Sequence, residues 1–73
     1  MQFTIETRPL TNGSSGPTTQ LVIEASDPRG AISEFVRRSR SELVSFATPG
    51  MGRESIGTVR KEDSVFLVRV YEN

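Results

Sequence analysis

The sequence contains no cysteine, no histidine and no tryptophan. Without cysteine the chain can form no disulfide and offers no thiolate to a metal, and a reducing, cytoplasmic compartment is its natural setting. Without histidine it lacks the commonest general base, the commonest metal ligand and the usual switch near neutral pH. An excess of charge of one sign is missing too: 9 Lys and Arg balance 9 Asp and Glu. Chains that hold nucleic acid ordinarily carry a basic excess or stripe, so this balance argues against that class. The longest apolar run is Val65-Phe66-Leu67-Val68, far short of a membrane span. The start, Met1-Gln2-Phe3-Thr4, has neither a basic n-region nor an apolar h-region, so no signal peptide is expected. A chain that opens on Met reads as a complete small protein.

What is present amounts to one domain, 1–73, near the lower size limit for folding on its own core. Domains this small commonly depend on disulfides, a metal or a partner. Composition leaves the partner as the source of help. Of the cations, only Lys61 is not arginine, a bias that suits contact with carboxylates, phosphates or aromatic rings.

The pattern along the chain predicts ββαββ. Phe3, Ile5 and Thr7 alternate with Thr4, Glu6 and Arg8 in a strand stopped by Pro9. Residues 11–17 are turn formers without an apolar anchor and read as a flexible hairpin loop. A second strand runs from about Thr18 to Ala25. Residues 26–30 read as a turn or a helix start: Asp27 and Pro28 suit a helix cap and a first helical position, while Gly30 moves the start of the regular helix to Ala31. From Ala31, the residues Ile32, Phe35, Val36, Ser39, Leu43, Phe46 and Ala47 recur at three- and four-residue spacing, which predicts one amphipathic helix ending at Thr48-Pro49-Gly50. A glycine-rich helix-to-strand loop covers about 48–54. A weak strand follows over Ser55–Arg60 with Ile56 and Val59, and then a strong one over Ser64–Glu72. The expected fold is α+β: a two-layer domain with a four-stranded, mainly antiparallel sheet and the helix on one face. Its core would comprise Phe3, Ile5, Leu21, Ile23, Ile32, Phe35, Val36, Leu43, Phe46, Phe66, Val68 and Val70.

No residue pattern supports catalysis. With neither histidine nor cysteine, only a Ser–Lys pair remains for nucleophilic chemistry, and Lys61 sits in a charged turn. Glu6 and Glu24 share a sheet face, but they read as solvated carboxylates near Arg8 and Arg69 rather than as an acid–base pair. No carboxylates have calcium-loop spacing, and neither a metal nor another cofactor is expected. Gly50-Met51-Gly52-Arg53-Glu54-Ser55 resembles a phosphate-cradling loop only in composition, since such loops follow a strand and open a helix. It stays a candidate contact, through Met51 and Arg53, for a partner or a small anion.

Two surfaces remain for binding. Val65, Leu67, Arg69 and Tyr71, with Val22 from the second strand, fall on the sheet face away from the helix. Burying four apolar side chains there contributes roughly 6–10 kcal/mol at most, against an association cost of about 4–15 kcal/mol. The face alone would give a weak contact that needs polar anchors. The arginine string around Ser39, with Arg37, Arg38 and Arg40, together with Arg53, Arg60 and Lys61, is the alternative, a nucleic-acid surface. Helical spacing puts Arg37 and Arg40 on one flank of the polar surface and Arg38 on the other, and Glu34 and Glu42 are placed to neutralise Arg38. The expectation is a non-catalytic protein-interaction module (adaptor, inhibitor or regulatory subunit) that docks on a larger protein and forms a homodimer.

Overall fold

The computed structural model describes residues 1–10, 18–48 and 54–73. The element order is β1 (Gln2–Pro9), β2 (Thr19–Glu24), α1 (Pro28–Ser39), β3 (Glu42–Ala47), β4 (Glu54–Lys61) and β5 (Ser64–Glu72). One five-stranded antiparallel sheet runs β2-β1-β5-β4-β3. The expected four-stranded ββαββ sheet is therefore corrected to five strands in the order ββαβββ, within the same broad α+β class.

The difference lies in residues 40–47. The helix ends at Ser39, with Arg40 in the left-handed region at φ 56. Ser41 N–H donates to Val36 O and Arg40 N–H to Arg37 O, the paired bonds of a Schellman stop. No glycine marks this end, so the sequence carries no visible stop signal. Beyond it, Leu43 and Phe46 keep helical spacing for another reason. The β3–β4 register shifts between Leu43 and Ser45, which leaves Val44 as an extra residue in the strand. Such a bulge converts the two-residue period of a strand into a three-residue step. Leu43 opposite Val59 and Phe46 opposite Gly57 thus both reach the helix-covered side.

The helix starts at Pro28, three residues before Ala31, with Gly30 inside its first turn and Asp27 as the cap. The Asp27 side chain accepts from Gly30 N–H at 2.7 Å, and Pro28 opens the first turn. From there α1 crosses one face of the sheet, linking β2 at one edge to β3 at the other. Ala31 and Ile32 are its buried residues. The buried core is Phe3, Ile5, Ile23, Ala31, Ile32, Val59, Val68 and Val70, with Ala25, Phe35, Val36, Leu43, Phe46 and Phe66 packed around it. Leu21 is not part of it. It faces the helix side opposite Ile5 but stays 39% exposed, because an edge strand has a neighbour on one side only.

Gly57 sets how closely the layers approach. A Cβ there would stand 2.8 Å from Ile32 Cδ1 and 3.0 Å from the Ser45 carbonyl oxygen. The buried Ser55 is satisfied by the Thr48 hydroxyl at 3.0 Å. Arg29 lies over the Phe46 ring, 5.4 Å from its centroid, and so screens the aromatic edge of the core.

Candidate interaction surface

Every second residue of each strand, with a three-residue step at the β3 bulge, points away from α1, and the sheet register sorts these residues into rows. Val22, Thr4, Tyr71 and Glu54 form one row, and Gln20, Glu6, Arg69, Ile56 and Ala47 the next. Arg8, Leu67, Thr58 and Ser45 follow, then Val65, Arg60 and Glu42. No described element covers this face.

Its centre is a closed polar network. Arg69 donates to Glu6 Oε1 at 3.0 Å and to Glu54 Oε2 at 2.6 Å, bridging the two strands beside its own. Tyr71 Oη and Gln20 Nε2 each donate to Glu6 Oε2 at 2.9 Å. The Arg69 guanidinium also lies 5.7 Å from the Tyr71 ring centroid. The Tyr71 and Gln20 bonds, with Arg69 beside them, hold the Glu6 carboxyl below its ordinary value of 4.5. Glu54 raises Arg69 further, and Glu6 raises the Tyr71 phenol above 10.0. A carboxylate acting as a general acid or base near neutral pH needs the opposite displacement.

Beside the network, Leu67, Val65 and Ile56 supply apolar surface, Ile56 being 38% exposed. A groove of about 250 Å³ is lined by Glu6, Arg8, Thr18, Leu67 and Arg69. Of the expected binding residues, Val65, Leu67, Arg69 and Tyr71 are thus brought together on one strand. Val22 shares their face but lies across β1, beyond Thr4, so the apolar patch is not continuous to that edge. Met51 and Arg53 lie outside the described residues, as do the loop 11–17 and most of the loop 48–54.

Sequence reading overlooked Ile56, Glu54 and Gln20. The missing signal was parity: Ile56 and Val59 stand three apart on a strand and must face opposite ways. Val59 is buried under the helix, which leaves Ile56 on the bare face. Glu6 and Glu24 share that face but keep separate partners. Glu24 pairs with the Met1 ammonium, while Glu6 belongs to the central network.

Three of the six cations of the alternative surface hold acidic partners. Arg37 and Arg38 both bond to Glu34, Arg38 at 2.7 Å, which holds the Glu34 carboxyl below 4.5. Glu42 pairs with Arg60 across the β3–β4 ladder, not with Arg38, because the helix stops before it. Lys61 and Arg40 are exposed, and Arg53 is outside the described residues. Among the described residues no group of three or more acidic side chains could hold a metal, and no helix is long and apolar enough to cross a membrane.

Fold and surface together define a class: a two-layer α+β domain with a five-stranded sheet, one face packed by a helix and the other carrying an ordered polar network. Comparison with protein-family models, with curated proteins and with solved structures gives no match.

Proposed function

We propose that this chain is a small non-catalytic interaction module that docks on a larger protein through the bare face of its sheet, as an adaptor, inhibitor or regulatory subunit, and that it also self-associates. One observation carries the reading: exposed Ile56 and half-buried Leu67 and Val65 lie on a sheet face that no described element covers, beside a network that Arg69 ties together. Apolar area supplies affinity, and fixed polar groups around it supply register and selectivity. Side chains already held by their neighbours lose little freedom on docking, which lowers the cost of association. Catalysis is left aside because the chain has neither histidine nor cysteine and the Glu6 carboxyl, at the centre of the network, is held below its ordinary value by Tyr71 and Gln20. The absence of cysteine suits a cytoplasmic setting.

The test compares capture by folded variants in an extract of the native host. A specific protein should be retained saturably by the wild type and by a helix-surface control, Ser33→Glu. It should be lost from Ile56→Glu and from Leu67→Glu. Equal retention by those two variants, with wild-type circular dichroism, would overturn the docking face.

A further inference from the structure

We infer that the chain forms a two-fold symmetric dimer by pairing the outer edge of β2 with the same edge of a second copy, antiparallel and centred on Val22. This rests on the functional reading only in expecting self-association. The surface is a strand edge, separate from the face offered to a larger protein.

The phase of the main chain sets the geometry. Ala25 N–H donates to Met1 O at 2.9 Å, and bonded pairs alternate along an antiparallel ladder. Phe3 with Ile23, Ile5 with Leu21, and Thr7 with Thr19 are therefore the bonded pairs of β1 and β2. Gln20, Val22 and Glu24 direct their N–H and C=O groups away from β1. Among the described residues nothing pairs with that edge, since β2 ends the sheet.

An open edge is ordinarily blunted by lysine, proline or a bulge. Thr19–Glu24 contains no lysine or proline, its one charged residue is Glu24 at the end of the strand, and its register with β1 is unbroken. The opposite edge differs: β3 carries the bulge at Val44, and Glu42 is tied to Arg60. The exposed pair Leu21 and Val22, 39% and 52%, thus lies on the regular edge.

The segment is also self-complementary. An antiparallel alignment centred on Val22 uses the free main-chain groups of Gln20, Val22 and Glu24 in both copies. Val22 then meets Val22 on the two-fold axis, and Gln20 faces Glu24 at either end, so no like charges stand opposite each other. On the helix side, Leu21 meets Ile23 of the second copy. The product is one continuous sheet through both subunits.

Single cysteines provide the test, because the chain has none of its own. In Val22→Cys the thiols would face each other across a bonded pair, with Cα atoms about 5.5 Å apart, within disulfide range. In Gln20→Cys they would be offset by four residues, on the order of 13 Å. Val44→Cys is a control of similar exposure, 57%, on the other edge. Under mild glutathione oxidation, Val22→Cys should form the covalent dimer on the order of tenfold faster than either comparison, because pairing raises the local thiol concentration. Equal rates for Val44→Cys would overturn the edge, and equal rates for Gln20→Cys the register. A strict monomer in sedimentation equilibrium up to millimolar wild-type protein would overturn the dimer. None of these results touches the Ile56→Glu capture experiment, which reads the sheet face alone.

Discussion

At the scale of single residues, two backbone positions set the local geometry of the fold. Arg40 occupies the left-handed region at φ 56 to close the helix, a conformation that costs a residue with a Cβ about 1–2 kcal/mol. Glycine removes that strain but is more flexible when unfolded, so Arg40→Gly should stabilise the fold by about 0.5–1 kcal/mol. Thermal denaturation should show a midpoint a few degrees higher; a lower midpoint would mean that the arginine side chain matters more than its backbone. Gly57 is the converse case. A methyl group there meets Ile32 and the Ser45 carbonyl at less than ordinary contact distance. Gly57→Ala should destabilise by about 1–3 kcal/mol, read from the denaturant midpoint. Neither position could be recognised in the sequence. An arginine at a helix stop looks like any solvated arginine, and the crowding at Gly57 comes from residues distant along the chain.

At the scale of elements, β1, β2 and β5 were legible because their alternation is uninterrupted, and Asp27-Pro28 announced the helix start. β3 was misread as helix for a specific reason: its bulge gives Leu43 and Phe46 the spacing of a helical stripe. The missing glycine at Arg40 removed the only local cue to the contrary. The bulge also makes a prediction. Deleting Val44 restores plain alternation with Leu43 and Phe46 both facing α1, so that variant should retain a cooperative thermal transition. Deleting Thr58 from β4 sends either Gly57 or Val59 to the wrong face and should abolish the transition. The candidate surface was half legible by the same logic. Tyr71, Arg69, Leu67 and Val65 followed from the alternation of β5, whereas Ile56 and Glu54 required knowing which side of β4 the helix covers.

At the scale of the whole molecule, one helix serves five strands, and the uncovered side is held by polar bonds centred on Glu6 and Arg69. This predicts a stability profile with two limbs. Glu6 and Glu34 have folded-state values below 4.5, so the unfolded chain binds protons first on acidification. Their contribution is present above that value and is lost as pH falls through the folded-state values. Tyr71 is raised above 10.0 by Glu6, so its contribution is present below 10.0 and disappears as pH rises through the folded-state value. Chemical denaturation across pH should therefore show a plateau between the two limbs. Tyr71→Phe should abolish the phenol's part of the alkaline limb and shift the Glu6 part of the acid limb upward. The docking face itself is tested most directly by amide shift mapping of the isotope-labelled chain, titrated with the protein that wild type retains and Ile56→Glu loses. The expected result is perturbation concentrated at Leu67, Ile56, Val65, Arg69 and Glu54, with the outer face of α1 unchanged. Perturbation centred on Glu34, Arg37 and Arg38, with the bare sheet face silent, would contradict it.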